Sequence, residues 1–197
     1  MVSLCKKTNI FAAKPNKYKM EEDKKNSLLK STMNYGVILG LSLVIYSLFI
    51  WMLGETTNKN LSFVTYIIMI SGIIISTKTF RDQEQGGYIT YGRGLAVGTL
   101  TCFFAGIITS FFTFLLYTVI DPGLIDRTYA LMENAYYESG MNDNQVETAL
   151  NLAKKFTNPF TMMVFGFIGS VFMGFVFSLI TSVFLKKEEN PFESDTL

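Results

Sequence analysis

The charged residues of the chain leave four long gaps, and every gap is rich in apolar side chains. The gaps cover residues 33–54, 61–77, 94–120 and 159–185, and none of them contains Asp, Glu, Lys or Arg. A helix crosses a hydrocarbon core of about 30 Å with about 20 residues, in a range of about 17–25. Because lipid offers no hydrogen bonds to a backbone, each gap is predicted to be a transmembrane helix.

Four apolar helices can also form the core of a soluble helix bundle. Helices of that kind keep a polar face at the 3.6-residue repeat, whereas these segments are apolar on all sides. The pattern therefore favours the membrane, and it predicts an all-α fold built as a four-helix transmembrane bundle.

Lys and Arg are distributed unevenly between the two sides of such a bundle. Residues 1–32 contain eight Lys, and the loop between the first two spans contains only Lys59. With both termini on one side, that side holds thirteen Lys and Arg residues and the other side holds four. Since cytoplasmic loops carry the excess of these residues, both termini are predicted to be cytoplasmic.

The ends of the chain are polar and have little apolar surface to bury. Residues 1–32 are therefore predicted to form a disordered, Lys-rich cytoplasmic segment, and residues 188–197 a cytoplasmic tail. Met20 precedes a second run of charged residues, so either Met1 or Met20 is a candidate start of translation.

The loop 121–158, between the third and fourth spans, has a helical pattern of its own. Asp121 followed by Pro122 is a helix start signal, and Gly140 is a stop signal. After Asn142, apolar residues recur at helical spacing, which predicts a second helix. The sequence thus predicts an extracytoplasmic helical hairpin, acting either as a cap on the bundle or as a recognition element for a partner.

Small residues recur at every fourth position in three of the predicted spans. Such ridges let helix backbones approach closely in lipid. They predict packing between the third and fourth spans or a homodimer seam, with a lined conduit as the alternative, and they make Cys102 a packing residue. Because a four-residue row drifts by about 40° per step around the axis, only part of each ridge is expected to face one neighbour. The ridge residues are Gly36, Gly40, Gly94, Gly98, Cys102, Gly106, Ser110, Gly166, Ser170, Gly174 and Ser178.

The loop between the second and third spans is the most polar cytoplasmic segment. Four of its charged residues are close enough in sequence to pair with one another. We interpret the loop in two ways, as a docking or ligand site, or as a solvated loop at the lipid headgroups. These residues are Arg81, Asp82, Glu84 and Arg93.

Composition narrows the function further. The chain has 197 residues and a net charge of +1, which excludes a nucleic-acid binder that works through a large positive field. It has no His, the commonest general base and transition-metal ligand, and its two Cys are far apart. The predicted spans contain no Asp, Glu, Lys, Arg or His and no internal Pro. Such residues mark many transport and catalytic sites. We therefore expect no enzyme activity, no cofactor and no metal site.

Four stretches of the sequence resemble one family over about residues 33–187. They are NYGVILG, TFRDQEQGGYITYGRGLAVG, VIDPGLIDRTYALMENAYYESG and NPFTMMVFGFIGSVFMGFVFSLITSVFLKK. The sequence is similar to the uncharacterised four-span bacterial family known as domain of unknown function 4199, which is common in Bacteroidetes. The resemblance implies a multi-pass protein of the bacterial cytoplasmic (inner) membrane, with no established activity and no functional residues to carry over.

The expected function is a non-catalytic structural or interaction component of that membrane. Its expected partners are the lipid bilayer and either a second copy or another membrane protein, and no nucleic acid. The alternative is a small-solute channel or carrier formed by an oligomer.

Overall fold

The chain is helical through nearly all the residues that the structure describes. The computed structural model describes residues 17–54 and 59–187. Single π-helical turns continue the second and third helices, at Phe80–Glu84 and Leu116–Ile120. The predicted all-α class is confirmed for this part of the chain. The α-helices are α1 (Lys17–Met52), α2 (Lys59–Thr79), α3 (Tyr91–Leu115), α4 (Leu124–Glu138), α5 (Asp143–Phe156) and α6 (Pro159–Leu185).

Four of these helices are long and apolar enough to cross a membrane, as the charge gaps predict. The second exceeds the predicted 61–77, because helical turns continue through Lys78 to the end of the π-helical turn. Long polar side chains at such an end can reach out of the lipid. The membrane-length segments are Asn26–Met52, Phe63–Glu84, Tyr91–Ile120 and Pro159–Leu185.

Residues 17–32 are helical, which corrects the expectation that the chain is disordered up to residue 32. α1 begins at Lys17 and runs without interruption into the first membrane-length segment. Lys, Glu and Met have good helix propensity, and extending an existing helix is far easier than nucleating one. Residues 1–16 and 188–197, which complete the predicted terminal segments, lie outside the described residues.

α3 is the central helix of the fold, and its main neighbours are α6 and α1, followed by α2. The larger apolar cluster joins α1, α2 and α3 through Leu39, Ile73 and Ala105, which are buried. A second cluster contains Phe80, Ile89 and Val97 and lies where α2 turns back into α3. The core is therefore built around α3.

α4 and α5 pack chiefly on each other. The start of α4 differs from the prediction, since the helix begins at Leu124 and not at Pro122. Asp121 instead uses its carboxylate to accept a hydrogen bond from the Trp51 indole, at 3.2 Å, and to pair with Arg127 at 3.4 Å. This contact joins the start of α4 to the end of α1.

Candidate functional site

The small residues of α3 and α6 lie opposite one another in an antiparallel register. Each step of four residues forward along α3 corresponds to four residues back along α6. A Cβ added to Gly94 would lie 3.1 Å from the Ser182 hydroxyl oxygen. The opposed pairs are Gly94 with Ser182, Gly98 with Ser178, Cys102 with Gly174, and Gly106 with Ser170.

Gly98 and Gly174 mark the closest approach of α3 and α6. A Cβ on Gly98 would lie 2.9 Å from the Cβ of Ser178, and a Cβ on Gly174 would lie 2.6 Å from the Cys102 sulfur. Contacts that short leave no room for a side chain at either glycine. The Ser178 hydroxyl also donates to the Leu95 carbonyl at 3.0 Å, which adds a hydrogen bond between the helices.

The ridge opens at its fifth position. An added Cβ on Gly166 would meet nothing within 4 Å, and the buried Ser110 hydroxyl has no hydrogen-bond partner among the described residues. α3 and α6 stay in register over four opposed pairs, or three steps of four residues, which is further than the expected drift implies. Interdigitated four-residue ridges cross at an angle that keeps such rows in contact.

Gly36 and Gly40 of α1 face α3 and not α6. A Cβ on Gly36 would lie 2.9 Å from the Thr101 carbonyl oxygen, and one on Gly40 would lie 3.1 Å from the Cβ of Ile108. Both helices advance together along these contacts, so α1 runs parallel to α3. The small residues that suggested a homodimer seam are thus used largely inside the chain.

A cavity of about 550 Å³ is bordered by all four long helices, and sequence reasoning missed it. Its inner end is formed by Met69 and Met173, which lie in or against the larger apolar cluster. Its other end reaches Leu116 and Leu124, which are buried. No charged residue or broken helix within the spans marks it in the sequence, and its hydroxyl-bearing lining residues are spread over all four spans.

The described residues that line the cavity are uncharged, and several of them carry hydroxyl groups. The Tyr46, Thr109 and Thr113 hydroxyls donate to backbone carbonyls at 2.8, 3.1 and 2.9 Å, so their oxygens remain available as acceptors. The Ser47 and Ser170 hydroxyls make no hydrogen bond within the described part of the chain. Through these uncharged groups the cavity can both donate a hydrogen bond to a ligand and accept one from it.

Two glycines of α6 keep the cavity open. Gly166 and Gly169 line it, both are exposed, and an added Cβ at either position would meet nothing within 4 Å. Their missing side chains leave space that larger residues would fill.

The charged residues of the predicted cytoplasmic loop do not converge on one point. Arg81 pairs with its neighbour Asp82 at 2.8 Å. Glu84 accepts a hydrogen bond from Ser27 of α1, and Arg93 donates to Gln85. The four candidate docking residues are therefore divided among three separate local contacts.

The same loop is fixed to the end of α6. The Ile89 amide donates to the Lys187 carbonyl at 2.8 Å, and the Lys187 amide donates back at 3.1 Å. The Lys187 ammonium group lies 5.4 Å from the centre of the Tyr88 ring, a cation–π contact. These contacts join the loop before α3 to the chain that leaves α6.

The described residues contain no group of three or more His, Cys, Asp or Glu side chains that could hold a metal ion. Cys102 is 1% exposed and lies against Gly174 on the ridge. Its position is that of a packing residue.

Over the residues that the structure describes, the fold defines a class: an all-helical protein with four helices that are long and apolar enough to span a membrane. A family model described as a protein of unknown function (DUF4199) matches residues 34–187. The chain belongs to this family, as the resemblance of its motifs predicted. No curated protein and no solved structure matches the chain significantly.

Proposed function

We propose that the chain is a multi-pass protein of the bacterial cytoplasmic membrane and works as a non-catalytic interaction component. Both termini and the loop before α3 lie in the cytoplasm, and α4 and α5 lie on the other side. The distribution of Lys and Arg supports this orientation. The contact element is the pair α4–α5, which acts as a recognition element and not as a cap on the long helices.

The observation that carries this proposal is the exposed apolar surface of α4–α5. Leu131 is 42% exposed, and Leu152 and Phe156 are 54% and 56% exposed, although α4 and α5 pack chiefly on each other. Leu152 and Phe156 are four residues apart and therefore lie on one face of α5. An apolar face of this kind is typical of a contact surface.

The net charge of the segment that contains that face favours a protein partner over a lipid surface. The segment 124–156 carries five acidic and three basic residues, and all five acidic residues are exposed. Anionic lipid headgroups repel such a segment, since they attract basic ones. The partner expected is a membrane protein whose extracytoplasmic side has an apolar patch with a basic rim. The acidic residues are Asp126, Glu133, Glu138, Asp143 and Glu147.

Site-specific photo-crosslinking in native membranes tests the proposal. A photoreactive residue at Leu152 should capture a protein partner, whereas the same residue at the neighbouring Asn151 serves as the matched control. Raising the salt from about 0.1 to 1 M shortens the Debye length from about 10 to 3 Å and should reduce the yield at Leu152 several-fold. Capture of lipid alone at Leu152 would contradict the proposal.

A small-solute carrier is a second candidate, and the cavity is the observation that favours it. The cavity is closed at its inner end by Met69 and Met173. Passage of a solute through the protein would require that end to open. We propose to test for such passage by measuring solute flux into liposomes. Flux that is present in the wild type and abolished by Gly169→Leu, with Gly92→Leu unchanged, would favour the carrier. The absence of flux in the wild type would eliminate it.

A further inference from the structure

We infer that the cavity binds an uncharged amphiphile dissolved in the bilayer, that is, a molecule with a hydroxyl or carbonyl group on an apolar body. This inference goes beyond the proposed interaction. It requires neither a partner at α4–α5 nor the passage of a solute, because it concerns only binding within the long helices.

The position of the two open glycines indicates entry from lipid. Gly166 and Gly169 follow the start of α6 at Pro159 by seven and ten residues. With a rise of about 1.5 Å per residue, they lie about 10–15 Å along the helix. For a helix that crosses a hydrocarbon core of about 30 Å, this depth is within the acyl chains. A ligand that enters beside these glycines must therefore be soluble in lipid.

The lining determines which lipid-soluble molecules fit. Among the described residues no charged side chain borders the cavity, so a charged ligand would lose its hydration without gaining a counter-ion there. Apolar side chains such as Leu43, Met69 and Phe112 line it together with the hydroxyls described above. An uncharged molecule that has one polar group satisfies both kinds of surface.

The size and the closed end of the cavity also favour retention. A volume of about 550 Å³ lies within the roughly 300–1,000 Å³ that is typical of small-molecule sites. Met69 is 6% exposed and belongs to the larger apolar cluster, against which Met173 packs. A molecule that enters beside α6 therefore meets packed side chains at the inner end of the cavity.

The glycines also provide a variant that fills the cavity without forcing helices apart. A Cβ on Gly166 or Gly169 would meet nothing within 4 Å, and the same holds for Gly92 at the start of α3, which does not line the cavity. The double variant Gly166→Leu, Gly169→Leu places two side chains in the opening. Gly92→Leu makes the same chemical change elsewhere and is the matched control.

The experiment uses the full chain in phosphatidylcholine liposomes. Two photoactivatable probes of equal length are compared: a long-chain alcohol and the corresponding fatty acid. The pH is alkaline, so that the fatty acid is present as its anion. Labelled peptides are identified by mass spectrometry. We expect the alcohol to label cavity residues such as Met173, in competition with unlabelled alcohol, and at least fivefold more than the anion does. The double leucine variant should reduce this labelling at least fivefold, and Gly92→Leu by less than twofold.

A second variant keeps the test decisive if the double leucine chain does not fold. Ser47→Ala removes a lining hydroxyl that has no partner within the described residues. Loss of one hydrogen bond corresponds to a several-fold loss of affinity, so labelling by the alcohol should fall about three- to tenfold. Labelling by an alkane probe of the same length should not change.

Three results would overturn the inference. The anion could label the cavity as strongly as the alcohol does, or labelling could persist in the double leucine variant when that variant is folded. A photoactivatable phosphatidylcholine could also label Met173 as efficiently as the alcohol, which would make the occupant an acyl chain of the bulk lipid. Failure of the crosslinking at Leu152 leaves all three readouts unchanged, so the two proposals fail separately.

Discussion

The close approach of α3 and α6 depends on two glycines, each of which carries a hydrogen atom where other residues carry a side chain. Gly98 and Gly174 are the positions where the two backbones come closest, and in each case the residue opposite is a small one that fills the space. Lipid provides no hydrophobic force between helices, so close packing and interhelical hydrogen bonds must hold them together. A methyl group at the wrong position therefore has a large effect.

Gly98→Ala should destabilise the protein by about 1–3 kcal/mol, because its Cβ would lie 2.9 Å from both the Ser178 Cβ and an Ile73 methyl carbon. Thermal unfolding of the purified protein in detergent measures the loss. Gly169→Ala is the control and should cause none, since its Cβ would meet nothing within 4 Å. Adding Ser178→Gly to Gly98→Ala should recover part of the lost stability, because it removes the contact with Ser178 but not the one with Ile73. Equal effects of the two single alanine variants would contradict this account.

Asp121 is a second residue whose substitution should change the stability of the protein by a definite amount. Asp121→Ala leaves the partly buried Trp51 indole without its partner and should cost about 1–2 kcal/mol. Asp121→Asn keeps a carbonyl acceptor and loses only the pair with Arg127, which is 68% exposed, so it should cost less than about 1 kcal/mol. Trp51 is the single Trp of the chain, and its fluorescence reports this junction directly.

Among the described helices, α4 and α5 pack least against the rest of the fold. The N-terminus of α5 is closed by a capping box in which the Gln145 amide donates to the Asn142 side chain at 3.0 Å, and the Asn142 amide donates to the Gln145 side chain at 3.1 Å. Since α4 and α5 pack chiefly on each other, changes in this pair should not spread to the long helices.

Asn142→Ala should cost α5 about 1 kcal/mol, the usual price of a lost N-cap. Hydrogen exchange should accelerate several-fold in the first turns of α5 and remain unchanged in α3 and α6. The conservative variant Asn142→Asp keeps an acceptor and should restore most of the protection. Faster exchange throughout α3 would show that α5 stabilises the long helices after all.

The whole molecule has its loop before α3 fixed at two points, to α1 through Ser27 and to the end of α6 through Lys187. If the four long helices span the membrane, these contacts lie on the side of the termini and α4–α5 lies on the other. The same arrangement follows from the distribution of Lys and Arg.

Thiol labelling in intact cells tests this arrangement. In a Cys5→Ser background, a membrane-impermeant maleimide should label Asn144→Cys, an exposed position in α5, and leave Gln83→Cys unlabelled until the cells are opened. Cys102 is buried and should not react in either case. Labelling of Gln83→Cys from outside would reverse the proposed orientation.

Much of the fold was predictable because charged residues cannot be placed in lipid without cost. That constraint gave the four long helices to within a few residues at most ends. The helix over residues 17–32 was missed because its Lys-rich composition indicated disorder, while the same residues extend a helix that has already formed. Gly36 shows a further limit, since its spacing predicts close packing but does not say that α3 is the neighbour.

The cavity was not predictable from the sequence, for a different reason. Its hydroxyl residues have ordinary roles within their own helices, as when Thr113 donates to the Thr109 carbonyl at 2.9 Å. Gly166 looks like one more member of the ridge, and only the structure shows that nothing lies within 4 Å of it. A cavity depends on where helices diverge, and the pattern of one helix does not contain that information.

The ridge between α3 and α6 also determines how the two helices align along their length. Every opposed pair contains one glycine and one larger residue, as in Gly98 with Ser178 and Cys102 with Gly174. A slip of four residues, about 6 Å, in one direction would place Cys102 against Ser170, and in the other direction Cys102 against Ser178. Either slip would also set glycine against glycine and leave a gap. The pairing of each glycine with a larger residue therefore excludes the neighbouring alignments, which a uniform row of glycines would permit. As a result, α3 and α6 can join in one position only.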